Sequence, residues 1–217
     1  GTDTLESTEA LLNYQPKITT GDILSVNVSA IDTEAAQPFN VYESTGIGTP
    51  KPIDYLVNSD GEINFPVLGK LKVNGFTTKE VTDNLTKILA DYIKNPIVNI
   101  RLTNFKVTVL GEVKSPGTYN VPSERLTIIE ALGLAGDLTI QGKRKTVLLV
   151  REQEGKRNFI TVDLTSKALF NSPYYYMAQN DVIYVEPNKT KMNSSVVGSN
   201  TGVILSSVSI LITLITL

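Results

Sequence analysis

Tyr55-Leu-Val-Asn-Ser-Asp-Gly-Glu-Ile-Asn-Phe-Pro-Val-Leu-Gly69, followed by Val73, Gly75 and Thr77-Thr-Lys-Glu80, is the stretch that decides the fold. It reads as a strand, an Asp60-Gly61 turn and a second strand, then the reciprocal capping pattern that opens a helix. Val81, Leu85, Ile88, Leu89 and Tyr92 follow at helical spacing and mark its apolar face. Asn95-Pro96 stops that helix, because the residue before proline avoids helical geometry. From Ile97 to Leu102 the apolar residues Val98, Ile100 and Leu102 alternate, as in a strand buried on one side. A single helix between strands makes a small α+β unit that closes near residue 104.

Upstream, a turn at Gly21-Asp22 precedes alternating Leu24, Val26 and Val28, which supplies this unit with its first strand. Between Asp32 and Pro52 the pattern reads as a long loop, punctuated by Gln37-Pro38, Gly46-Ile-Gly48 and Thr49-Pro-Lys-Pro52. Prolines, not a helix, follow that Gly-x-Gly, so it is no phosphate cradle. Residues 1–13 are polar and acidic and read as a tether.

Downstream, a second unit repeats the plan. Lys106 to Val113 is a strand, Ser115-Pro116-Gly117 a turn, and Thr118 to Val121 a short strand. Thr127 to Glu130 is another capping box, with Ile129, Ala131 and Leu132 behind it and Gly133 and Gly136 closing a short helix. Thr146 to Arg151 and Asn158 to Leu164 flank Glu154-Gly155 as a hairpin. The closing strand, Asn180-Asp181-Val-Ile-Tyr-Val-Glu-Pro187, has the shape of Gly21-Asp22 to Val28.

Among 217 residues there are 20 basic and 22 acidic ones and neither cysteine nor histidine. This excludes a disulfide frame, a thiolate nucleophile, a Ser-His-Asp triad and any Cys or His metal site. Without a basic cluster, nucleic acid is not an expected partner. Asp60 and Glu62 are the one tempting carboxylate pair, but they straddle a hairpin turn with no third ligand nearby. The reading therefore assigns no catalytic, cofactor-binding or metal-binding residue. Gly61, Gly69, Gly75, Gly111 and Gly117 are assigned to backbone geometry, with tight turns and positive φ. Asp22 and Asp181 are expected to accept local backbone hydrogen bonds. Tyr174-Tyr175-Tyr176-Met177 is read as packing within the second unit or between subunits, in preference to an interfacial belt or a sugar-stacking platform.

The tail departs from soluble-domain chemistry. No charged residue follows Lys191, and Val203 to Leu217 contains only Val, Ile, Leu, Ser and Thr. As a helix at about 1.5 Å per residue, residues 192–217 would span roughly 39 Å, against about 30 Å for a bilayer core. Ser199, Gly202, Ser206, Ser209, Thr213 and Thr216 recur at steps of three and four and so share one stripe of such a helix. They are the expected pore-lining set. A single-pass anchor and a β-strand are the alternatives for this segment. One helix cannot enclose a pore, so a lumenal stripe requires several copies. Lys189 and Lys191 just before it could meet lipid head groups or solvent.

Tyr14 to Val28, then Val57 to Gly69 with Val73, Gly75 and Glu80, resemble the polysaccharide export signature of Wza-type outer-membrane capsule exporters. Residues 107–136, with Val-Leu-Gly-Glu-Val, Pro-Gly-Thr-Tyr and Leu-Thr-x-x-Glu-Ala-Leu, resemble the β-grasp-like soluble-ligand-binding module of the same proteins. The matching residues are Gly21, Asp22, Gly61, Pro66, Gly69, Gly75, Gly111, Pro116, Gly117 and Asp181. The implied layout is a tether (1–13), a polysaccharide export domain (14–104), a soluble-ligand-binding domain (105–187), and a linker with a C-terminal transmembrane helix (188–217). The resemblance implies an outer-membrane lipoprotein whose bulk is periplasmic, forming a homo-oligomeric ring with a helical pore for capsular or extracellular polysaccharide. The best-known relatives form rings of eight and carry a second binding module, so this chain should build a shorter vestibule. An inner-membrane chain-length co-polymerase and outer-membrane lipid are the implied partners. The acylated cysteine of the family is expected upstream of Gly1. The competing expectation is a membrane-tethered module that binds glycan or a partner and makes no pore.

Overall fold

The computed structural model describes residues 16–43, 50–153 and 155–190. The tether, the Gly46-Ile-Gly48 stretch, Glu154 and the whole hydroxyl stripe from Ser199 to Thr216 lie outside the described residues. Among the described residues, no helix is long and apolar enough to cross a membrane.

The first half is built on β1 (Ile23–Ser29), whose Leu24, Val26 and Val28 are buried as the alternation requires. It is the middle strand of a three-stranded antiparallel sheet, between β4 (Asp54–Leu56) and β7 (Ile97–Leu102). The described part of the expected long loop is more ordered than its composition implies. Asp32 caps a short helix, α1 (Thr33–Ala36), by accepting from the Glu34 and Ala35 N–H groups. A 3-10 turn (Gln37–Phe39) and a two-residue pair, β2 (Tyr42–Glu43) with β3 (Lys51–Pro52), complete it.

The Asp60-Gly61 turn does not join a hairpin. Its two arms enter different sheets: β4 pairs with β1, and β5 (Glu62–Phe65) pairs with β6 (Gly69–Lys72) across Pro66-Val67-Leu68. Asn58 explains this, because its side-chain oxygen accepts from both the Asp60 and Glu62 N–H groups and fixes a tight reversal without strand pairing.

Helix α2 (Thr78–Leu89) carries the expected capping box at Thr77 and Glu80 and buries Val81, Leu85 and Leu89. It ends before Asn95, so Tyr92 lies beyond it, exposed, with its ring edge-on to Phe39. These elements share one apolar cluster from Ile18 to Ile100.

The second half is a five-stranded mixed sheet ordered β11-β10-β12-β8-β9, formed by β8 (Lys106–Gly111), β9 (Gly117–Asn120), β10 (Gly142–Gln153), β11 (Lys156–Val162) and β12 (Val182–Pro187). The β8–β12 pair is parallel and the others antiparallel. Helix α3 (Ile128–Leu134) packs on it through Ile128, Ala131 and Leu132. Ile129 faces solvent, because the helix starts at Ile128 and turns that residue inward. Gly136 closes the helix at φ +75, whereas Gly133 remains within it. The core of this half runs from Phe105 to Val185 and is distinct from the first. Leu102 packs against both.

Candidate functional site

The two halves meet at a pair of matching aspartate turns. Gly21 takes φ +88, and the following Asp22 N–H donates to the Thr19 carbonyl at 3.1 Å while Asp22 Oδ2 accepts from the Thr19 N–H at 2.8 Å. Asn180 takes φ +63, the Asp181 N–H donates to the Ala178 carbonyl at 3.2 Å, and Asp181 Oδ2 accepts from the Ala178 N–H at 2.7 Å. The residue before each aspartate must be left-handed, which suits Gly and Asn best.

The likeness extends outward. Ile18 N–H donates to the carbonyl of Phe76, the residue before the Thr77 cap; Met177 N–H donates to that of Leu126, the residue before the Thr127 cap. Lys17 bridges Thr77, and Tyr176 bridges Thr127. After each turn comes a middle strand, β1 or β12, flanked on one side by the strand that follows the helix, β7 or β10. The same construction is thus used twice. In the first half the aspartate strand opens the module, and in the second it closes it.

Sequence reasoning missed the groups that differ. Arg151, on β10, sits opposite Asp181 and binds its carboxylate through Nε at 3.0 Å and Nη2 at 2.6 Å, also donating to the Tyr176 carbonyl. Asp181 is fully buried and Arg151 is 9% exposed. Burial pushes the Asp181 carboxyl up from its ordinary value, and Arg151 and the Ala178 amide pull against it. A permanently charged guanidinium at bonding distance keeps the pair ionised at neutral pH. The available signal was Arg151 continuing the inward phase of Val147 and Leu149.

Asn104 occupies the corresponding place in the first half. Continuing the β1–β7 register from Leu24–Leu102 by two residues sets Asn104 opposite Asp22, as Leu149–Ile183 continued by two sets Arg151 opposite Asp181. Its side chain accepts from the Ile23 N–H at 2.9 Å and donates to the Gly21 carbonyl at 3.1 Å. Its own carbonyl accepts from Gln179 Nε2 at 2.8 Å, and Gln179 Oε1 accepts from the Lys106 N–H. Asn104 and Gln179 therefore clasp the first turn to the second. Nothing in their local sequence pattern announces this.

The other anticipated residues lie in two separate places. Gly61, Gly69 and Gly75 have positive φ around the β5–β6 hairpin, where Leu68 N–H bonds the Pro66 carbonyl and Gly75 N–H the Ile18 carbonyl. Gly111, at φ +87, lies where a Cβ would come within 2.1 Å of the Val185 carbonyl oxygen. Pro116 and Gly117 lead into β9, and Gly117 lacks the expected positive φ because it is already extended strand. Glu62 lies 3.7 Å from Lys70. Tyr176 and Met177 are buried, with Arg125 5.6 Å from the Tyr176 ring centre and Arg151 5.7 Å from that of Tyr174. This tyrosine run packs inside the second half. A shallow groove of about 500 Å³ between the halves is lined by Arg101, Leu102, Thr103 and Val121 to Glu124.

Residues 11–103 match the family model described as polysaccharide biosynthesis/export protein, and residues 106–159 match the SLBB domain. The chain belongs to the polysaccharide export outer-membrane protein family. Among its relatives, the EPS I polysaccharide export outer membrane protein EpsA of Ralstonia solanacearum is 30% identical over 183 residues, covering 80% of this chain and 48% of that protein. EpsA of Ralstonia nicotianae is 34% identical over 145 residues, covering 62% and 38%. The exopolysaccharide production protein ExoF of Rhizobium meliloti is 30% identical over 89 residues, covering 39% and 21%. The chain thus spans about half or less of the length of the curated relatives it matches. Both family models meet at the Asn104 linker, between residues 103 and 106.

Proposed function

We propose that this chain is a subunit of an outer-membrane translocon that exports capsular or extracellular polysaccharide, with residues 14–104 and 105–187 as two periplasmic domains and 188–217 as linker and membrane helix. The observation that carries this is the succession of the two family matches along one chain, together with relatives named for polysaccharide export at the outer membrane. Two apolar cores, separated between Ile100 and Phe105, support the two-domain division. Such a subunit makes and breaks no bond. Export is passive positioning: copies assemble as a ring, and their C-terminal helices present Ser199, Gly202, Ser206, Ser209, Thr213 and Thr216 to a hydrated sugar chain. Hydroxyls offer exchangeable hydrogen bonds without a fixed charge that would trap the polymer. An acyl anchor in the outer membrane and an inner-membrane co-polymerase complete the assembly.

Native mass and particle symmetry of the full chain in detergent test this reading. A closed ring is expected, and a strictly monomeric protein overturns it. Within a ring, Ser209→Leu or Thr213→Leu should abolish surface polysaccharide while leaving the oligomer intact. Unchanged surface polysaccharide would remove the hydroxyl stripe from the lumen. If the chain lacking residues 192–217 restores export when tethered by another lipid anchor, it is a binding module and not a pore.

A further inference from the structure

The two aspartate turns place the same residue at the same depth and satisfy it differently. Asp181 has both carboxylate oxygens engaged, by Arg151 and by the Ala178 amide. Asp22 is only 1% exposed, its Oδ2 accepts from the Thr19 amide, and its Oδ1 has no hydrogen-bond partner among the described residues. Asn104, at the position of Arg151, directs its amide to the backbone on either side of Asp22 and not to the carboxylate.

Among the described residues, no other cation replaces the guanidinium. Lys17 leading into the turn, Asp54 on β4, Arg101 on β7 and Lys106 beyond the linker are all exposed, and none pairs with Asp22. Asp54 and Arg101 are both opposite Ser25, which puts them on the face of the sheet away from Leu24, Val26 and Asp22. Tyr55 is buried on the near face, and burial raises its phenol, so it carries no charge there. Burial likewise pushes the Asp22 carboxyl up from its ordinary value, against the pull of the Thr19 amide and hydroxyl.

An ionised oxygen without a partner is far costlier to bury than a neutral acid. Oδ1 is closed to solvent, so a metal ion or a partner's side chain cannot reach it unless the turn opens. A proton needs no such space. We propose that Asp22 holds a proton while its turn is closed and yields it to water only when the turn opens, making the joint between the two modules a proton-sensitive latch. Opening breaks the Thr19 N–H bond to Oδ2, the Val57 N–H bond to the Asp22 carbonyl and the Asn104 bonds to Gly21 and Ile23. The Asp22 O–H bond then breaks, the proton passes to solvent, and the carboxylate is hydrated. The matching turn at Asp181 is locked in its charged form by Arg151 and does not respond in this way.

The sign follows from linkage. A carboxyl raised on folding contributes stability that is complete below its unfolded value and is lost as pH rises through the folded one. The test is carboxyl-carbon NMR of the full chain in detergent with isotope-labelled aspartate, the Asp22 resonance being assigned by its loss in Asp22→Asn. Its midpoint should lie above the ordinary carboxyl range, and amide protection at Thr19, Ile23 and Val57 should fall across the same pH window after correction for intrinsic exchange. A midpoint within or below the ordinary range, or protection unchanged through it, overturns the latch. Asn104→Arg, which places a guanidinium where Arg151 stands in the other half, should shift the midpoint down. An unshifted midpoint in a folded Asn104→Arg protein would overturn the correspondence of the two positions. Should that variant not fold, the titration of the unaltered chain still decides.

Discussion

Asp181 and Asp22 are the same residue type in the same turn, yet their removal should have unequal consequences. Asp181→Ala strips the carboxylate from a buried guanidinium, and breaking one side of a buried pair costs about 3–5 kcal/mol. Asp22→Asn keeps an acceptor for the Thr19 amide and carries no charge, so at mildly acidic pH it should cost no more than the roughly 1 kcal/mol of a single hydrogen bond. Urea unfolding of the two variants side by side checks the inequality, and equal losses would refute it. Each aspartate after its turn residue was legible from sequence as a local backbone acceptor. That one is salt-bridged and the other solitary was not, because Arg151 is thirty positions from Asp181 and pairing depends on strand register.

The elements themselves were mostly announced by local chemistry. Both capping boxes appear where Thr-x-x-Glu precedes an apolar periodicity, at Thr77 to Glu80 and Thr127 to Glu130. Thr77→Ala or Thr127→Ala should each cost about 1 kcal/mol, read as a shift in the urea midpoint. The Thr77 amide and hydroxyl hold the Glu80 carboxyl below its ordinary value. Its contribution is therefore present above the unfolded value and lost as pH falls through the folded one, and Glu80→Gln should flatten that acid limb. Gly111→Ala is a harsher change. Left-handed backbone costs a side chain about 1–2 kcal/mol, and a Cβ driven against the Val185 carbonyl adds about 1–3 kcal/mol. The loss should appear as broken β8–β12 pairing in hydrogen exchange, with the first half intact. What misled at this scale was the Asp60-Gly61 turn, read as a hairpin because a dipeptide reports a reversal and not which strands pair afterwards. Tyr92 was misplaced for a related reason: its face depends on where the helix ends.

At the scale of the molecule, the polar clasp of Asn104 and Gln179 joins two separate cores. Asn104→Ala removes its side-chain bonds to Gly21 and Ile23, each contributing about 1 kcal/mol. Because neither core loses apolar contacts, the expected result is a split of one unfolding transition into two, seen by calorimetry. A single transition at an unchanged midpoint would show that the clasp does not couple the halves. By itself, the sequence determined the α+β class, the two successive units, most strand and helix positions, and the family, since each depends on periodicity, capping and turn residues within a few positions. Only the tertiary structure decided that the two units are one construction used in opposite orders, with Arg151 and Asn104 at matching places. Their equivalence arises from strand register across distant segments, and a buried carboxylate takes its charge state from what that register sets beside it.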